Sequence, residues 1–204
     1  RTQPSHSEAV RSRRPLAGIL AFVGAVCFLA AAGAQIALGA ASGLGGFVRC
    51  ILECLCSAWL STMGRCWLSP NEWKKPFGGL YLAVAGSLLF YWNVLLRFME
   101  NSSSWHRVTP TAAVWQALAA LVFLAALARA LHVPQPGNGK TLCAAGLAAF
   151  ALCLCWQLPH VLVLMSGLSW AAPAVWPEIF AGLGLCCVGG IGGACVTACL
   201  NGES

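Results

Sequence analysis

Two charged residues four positions apart, Arg49 and Glu53, stand inside an otherwise apolar run of this chain. A charge within the hydrocarbon layer of a membrane costs about 3 kcal/mol or more, so such residues are seldom accidental. On a helix, positions i and i+4 share a face, and a guanidinium and a carboxylate at that spacing pair. Two readings follow: a self-neutralised pair that helps a helix insert, or a contact with a partner helix or an ion or proton path.

His160 directly follows Pro159, next to Trp156 and Gln157. Proline has no N–H to donate and frees a carbonyl one turn earlier, so this segment is expected to kink and either to line a small polar cavity or to pack its kink against a neighbour. Asn93 and Arg97 share a helix face, and Arg97 is placed to reach lipid headgroups. Gln35 and Gln116 are single amides suited to bridging helices. Were His160 to meet Glu178, the pair would supply the acid–base chemistry of a membrane-embedded lipid-modifying enzyme. No G-x-S-x-G or H-E-x-x-H array accompanies them, and the chain contains no Asp, so no catalytic residue is assigned.

Cofactor and metal sites are not expected. Haem held between helices needs two axial ligands, and only His160 lies within an apolar run; His6, His106 and His132 fall in the tail or at helix ends. The chain has 12 cysteines, but Cys54-Leu55-Cys56 and Cys153-Leu154-Cys155 are C-x-C pairs whose thiols diverge on a helix, and there is no C-x-x-C. Most are read as small apolar packing residues. Cys56, Cys66, Cys195 and Cys199 fall near the expected cytoplasmic boundary and are the candidates for S-acylation, with Cys66 expected in a loop.

These residues must be carried by elements that live in lipid. Of 204 residues 59% are apolar and 9% charged, with a mean hydropathy of +0.75, which leaves too little polar surface for a water-soluble fold. A helix needs about 20 residues to cross the hydrocarbon layer. Windows of that kind lie at 15–38, 42–60, 77–97, 111–132, 141–166 and 178–200, with Pro15, Pro76, Pro110 and Pro177 at or just before the start of four of them. The expectation is an all-α polytopic transmembrane helix bundle of about six spans, flanked by a basic tail over 1–14 and a short end over 201–204. The run over 15–60 could also be one span and a surface segment. Two spans put the arginines of the tail, Arg65 with Lys74 and Lys75, and Arg129 with Lys140 on one side, as the positive-inside rule requires, so both termini are expected to be cytoplasmic. The first apolar run exceeds a signal-peptide core and is read as a retained anchor.

That parity places residues 100–109 outside, where Asn101-Ser102-Ser103 matches the acceptor pattern for N-glycosylation. The net charge of +6 is scattered in ones and twos, which argues against a nucleic-acid partner. The last window carries glycines at 182, 184, 189, 190, 192 and 193, and Gly189 with Gly193 gives the G-x-x-x-G spacing for close approach of another helix, either from this chain or from another subunit.

The string Phe47-Val48-Arg49-Cys50-Ile51-Leu52-Glu53, with Ser61-Thr62-Met63-Gly64-Arg65-Cys66-Trp67 after it, is similar to the second span and cytoplasmic loop of the light chain of flavocytochrome b, a family with fewer spans. The likeness carries no specific motif and implies no more than an accessory role. Short loops, no soluble domain and no catalytic array lead to the expectation of a non-enzymatic accessory, assembly or scaffolding subunit in the plasma membrane or an endomembrane. Its expected partners are membrane lipids and another integral membrane subunit or a second copy. A small channel or transporter with a polar path near Arg49, Glu53 and His160, and a lipid-modifying enzyme, are the alternatives.

Overall fold

The structure is a computed structural model and describes residues 10, 12–39, 43–69, 78–100, 108–133, 138–166 and 172–201. Within them the chain is helical: α1 (Pro15–Ala37), α2 (Leu44–Leu68), α3 (Gly79–Glu100), α4 (Val108–His132), α5 (Asn138–Ala149), a π-helical segment (Phe150–Trp156), α6 (Gln157–Ser166) and, after a short 3-10 turn at Pro173–Val175, α7 (Trp176–Asn201). Because α5, the π segment and α6 run on without a break, there are six helices long and apolar enough to cross a membrane. The protein is thus an integral membrane protein by length and composition.

The run over 15–60 is two helices. Gly39 and Gly43 take φ of 66° and 131°, values open to glycine and costly for other residues, and these turn the chain between α1 and α2. The two helices then lie antiparallel along their length. Gly18 meets Gly64, the Ser57 hydroxyl donates to the Ala25 carbonyl at 2.7 Å, and Gln35 meets Glu53.

Most boundaries fall within three residues of expectation, and the end of α2 differs most. α2 does not stop at residue 60 but continues to Leu68, so Cys66 belongs to its last turn, buried, and not to a loop. The reason is packing that hydropathy does not register. Met63, Gly64 and Trp67 are buried with it, and the Trp67 indole donates to the Val10 carbonyl of the tail at 3.0 Å. The Asn101 acceptor pattern and Lys74 and Lys75 lie outside the described residues.

Neighbours in sequence are neighbours in space. α1 packs on α2, α2 on α3, α3 on α4 and α4 on α5, while α7 packs on α5, the π segment and α6 and also returns to α1, closing a ring. At the end where the chain enters α1, Arg14 Nη1 donates to the Ala194 carbonyl of α7 at 3.4 Å, so the first span begins beside the end of the last.

The side-chain distribution is reversed relative to a soluble protein. α1 buries Ala17, Gly18, Ala21, Gly24, Ala25, Ala31 and Ala32 and exposes Leu16, Ile19, Val23, Val26 and Leu29. Small residues inside let backbones approach, and large apolar ones outside meet lipid tails. α7 takes this furthest. A Cβ at Gly189 would lie 2.7 Å from the Leu154 nitrogen, one at Gly192 2.8 Å from the Gly146 carbonyl oxygen, and one at Gly193 2.7 Å from the Phe150 ring. On its other side Gly184 lies against Phe28 and Gly190 against Leu20, both of α1. Gly189 and Gly193 are therefore occupied by the fifth span of the same chain.

Candidate functional site

At the end of the bundle opposite Arg14, the ring encloses a cavity of about 590 Å³ to which all six spans contribute. Its polar lining is Arg49 and Glu53 from α2, Asn93 and Arg97 from α3, Gln116 from α4, Gln157 and His160 from α6, and Glu178 from α7. Arg49, Glu53, Asn93, Gln157 and His160, read from the sequence as intramembrane polar candidates, all line this one space, and Gln35 lies behind its wall against Glu53. The reason is alternation. Arg49 and Gln116 lie early in helices that start at this end, Asn93 and Arg97 lie late in α3, and Gln157 and His160 lie in the second half of the continuous fifth span, both of which finish there.

Glu53 sits in the wall, with 1% of its side chain exposed. The Gln35 amide donates to both its oxygens at 2.9 Å, and Arg49 Nε donates to Oε1 at 3.0 Å. A buried carboxylate is tolerable only when paired and hydrogen-bonded, and a neighbouring helix supplies the missing donor. The Arg49 side chain is one-third exposed, and its two terminal nitrogens remain available to the cavity.

On the opposite wall, Gln116 Nε2 donates to Gln157 Oε1 at 2.9 Å and to the Leu152 carbonyl at 3.1 Å. Here the sequence foresaw a kink from Pro159, and the structure has a wider π-helical turn just before it, whose Leu152 carbonyl takes its hydrogen bond from α4. Such segments recur at functional sites. Gly189 permits the π backbone to lie against α7, and Gly182 leaves room for the Gln157 side chain, whose Nε2 would be 2.8 Å from a Cβ there.

The rim is charged and open. His160 Nε2 lies 3.7 Å from Glu178 Oε1, with both side chains largely exposed, and Arg97 is exposed. Among the described residues Arg97 and Asn93 have no hydrogen-bond or ion-pair partner. The floor is apolar. Phe28 and Phe90 meet edge to face with ring centroids 6.0 Å apart, beside Leu89, Ala117 and Leu185. Beyond this floor the bundle is filled by fully buried Trp59, Leu60, Phe123, Leu124, Leu127 and Ile191, so the cavity is a vestibule open at one end.

His160 and Glu178 do meet, at 3.7 Å, which is ion-pair distance but too long for a hydrogen bond that would orient the ring. The described lining includes no Ser, Thr or Cys to act with them as a nucleophile. No three His, Cys, Asp or Glu among the described residues gather as metal ligands. The thiols considered for acylation, Cys56, Cys66, Cys195 and Cys199, are each at most 2% exposed, so an acyl chain on any of them requires the helices to part.

The sequence missed the floor that Phe28 and Phe90 make, because nothing in their spacing separates a cavity lining from a packed core. Gln35 and Gln116 were legible as bridging amides, but their partners were not. Compared with known proteins, the chain matches no family model, no curated protein and no solved structure. Fold and site together define a multi-pass helical membrane protein with a polar vestibule between its spans.

Proposed function

We propose that this protein is a membrane-embedded binding protein of the carrier type, which takes a small solute into the vestibule from one face of the bilayer. The single observation behind this reading is the convergence of polar groups from five of the six spans on one cavity of about 590 Å³. Ligand sites are concave, of roughly 300–1,000 Å³, mostly apolar and fitted with a few convergent polar groups. Polar residues within spans are costly and face functional spaces. An open pore is a poorer fit, since beyond the floor Trp59 and Phe123 are fully buried in packed side chains among the described residues.

The accessory-subunit expectation drew on the glycine-rich last span and on the Arg49–Glu53 pair. Both engage this chain's own helices, which takes away the particular features that favoured it. The distribution of basic residues supports a vestibule that faces the exoplasmic side.

The test is to fill the cavity. Ala117 lines the floor, and Ala117→Phe would occupy it. Wild-type protein in nanodiscs, screened by thermal unfolding against water-soluble solutes of both charges, is expected to be stabilised by at least one, and Ala117→Phe to lose that response. A ligand at a hundred times its Kd stabilises by about 2.7 kcal/mol, which is readily measured. If no solute stabilises the wild type, and cysteines placed at Ala117 and Ala181 are inert to a hydrophilic thiol reagent, the reading fails.

A further inference from the structure

Resting on the vestibule reading, we infer that the ligand is an organic carboxylate with an apolar body, its head held by Arg97, Asn93 and the free end of Arg49, and its body laid on the Phe28–Phe90 floor.

Three observations carry this. The first is charge. The Arg49 guanidinium lies against Glu53 and the Glu178 carboxylate against His160, which leaves Arg97 as the charged lining side chain with no neighbour of this kind among the described residues. The second is the inventory of groups left open. Both oxygens of Glu53 are taken by Gln35 and one of them also by Arg49, and the Gln157 carbonyl oxygen is taken by Gln116, whereas the Arg97 guanidinium, the Asn93 amide and the terminal nitrogens of Arg49 are uncommitted among the described residues. The free groups are mainly donors, and guanidinium forks match carboxylate geometry. The Glu178 carboxylate, also at the rim, lies against His160 at 3.7 Å. The third is the gradient of polarity. Phe28, Phe90, Leu89 and Leu185 sit toward the middle of the bundle, and Arg97 and Glu178 at its edge, so a molecule with one charged head and an apolar tail fits in one orientation.

A guanidinium near a helix end could instead simply reach headgroups, and the experiment separates the two roles. Full-length protein in nanodiscs is titrated with 4-phenylbutyrate, 4-phenylbutanol and 4-phenylbutylamine, one body with three heads, against empty nanodiscs. The acid is expected to bind saturably and at least about tenfold more tightly than the other two, the margin of a charge-assisted contact. Arg97→Gln is expected to abolish that preference while leaving alcohol binding unchanged, and Arg97→Lys to keep most of it. Asn93→Ala weakens the acid alone. Arg97 is exposed and its side chain has no partner among the described residues, so these variants leave the packed helices intact, which unchanged thermal unfolding verifies.

Oleate mixed into the disc lipid competes with the acid if the carboxylate comes from the bilayer, and leaves it unaffected if the source is aqueous; both results support the assignment. If the amine binds as well as the acid, or Arg97→Gln changes nothing, the carboxylate assignment falls and the vestibule reading stands. Should none of the three bind above empty nanodiscs, the carboxylate assignment falls, and the solute screen with Ala117→Phe decides the vestibule reading separately.

Discussion

The amide nitrogen of Gln35 on α1 lies 2.9 Å from each carboxylate oxygen of Glu53 on α2, bridging the first two spans at a depth where neither side chain reaches solvent. Gln35→Leu removes that donor without removing the charge, and a buried acceptor left short of partners costs about 1–3 kcal/mol. The variant is expected to unfold at lower temperature in mild detergent. Gln35→Leu with Glu53→Leu is expected to recover part of the loss, because the charge goes with its donor and Arg49, one-third exposed, can turn to water. Equal losses in the single and double variants would show that the bridge does not stabilise the hairpin.

Glycines on the two ends of the ring's closure differ in what they permit. At Gly189 an added methyl meets the Leu154 nitrogen at 2.7 Å and the Ala149 carbonyl oxygen at 3.0 Å, both backbone atoms that cannot swing away. Gly33 on α1 has nothing within 4 Å. Gly189→Ala is expected to destabilise by about 1–3 kcal/mol through overpacking, and Gly33→Ala to be neutral or mildly stabilising through helix propensity. Unfolding in a graded denaturing detergent reads both.

The contrast between these glycines marks where the sequence stops being informative. Length and hydropathy locate the spans because lipid imposes the same demand on every helix, and the turn at Gly39 to Gly43 is written in residue type. The end of α2 is not so written. Ser61, Thr62 and Arg65 look like an exit from the membrane, yet the helix continues with Met63 and Trp67 buried and the Trp67 indole bonded to the Val10 carbonyl of the tail. That Gly189 and Gly193 face the fifth span depends on which helix comes to lie there, which no spacing within α7 states. The vestibule was half legible. Counting residues from the span ends with alternating direction puts Arg49, Asn93, Gln116 and His160 at the same end of the bundle, while their meeting in one cavity needs the ring to close.

Thiol reactivity should follow the packing. Cys54 and Cys155 are exposed, whereas Cys50, Cys56, Cys66, Cys153, Cys186, Cys187, Cys195 and Cys199 are buried. In mild detergent an apolar maleimide is expected to modify Cys54 and Cys155 first and the buried set only after denaturation, as peptide mass spectrometry would resolve. Acyl-exchange on protein taken from membranes is expected to leave Cys56, Cys66, Cys195 and Cys199 unmodified. Acylation found at any of these four would mean that the helices around it separate in the membrane.

Sidedness is the remaining physical question, and even parity makes it testable at the described residues. Ser12 and Lys140 lie at the end of the bundle where Arg14 meets Ala194, and Arg97 and Glu178 at the vestibule end. Basic residues are retained on the cytoplasmic side, so Ser12 and Lys140 are expected to face the cytoplasm and the vestibule the opposite compartment. In a cysteine-free background, an impermeant thiol reagent added to intact cells or sealed right-side-out vesicles should modify cysteine at position 97 or 178 at once, and cysteine at position 12 or 140 only after the membrane is opened. The inverse pattern would turn the vestibule toward the cytoplasm, and its ligand would then have to be sought among cytoplasmic carboxylates. Reaction of position 12 on one side and position 140 on the other would contradict the ring itself, since those two positions are separated by four crossings.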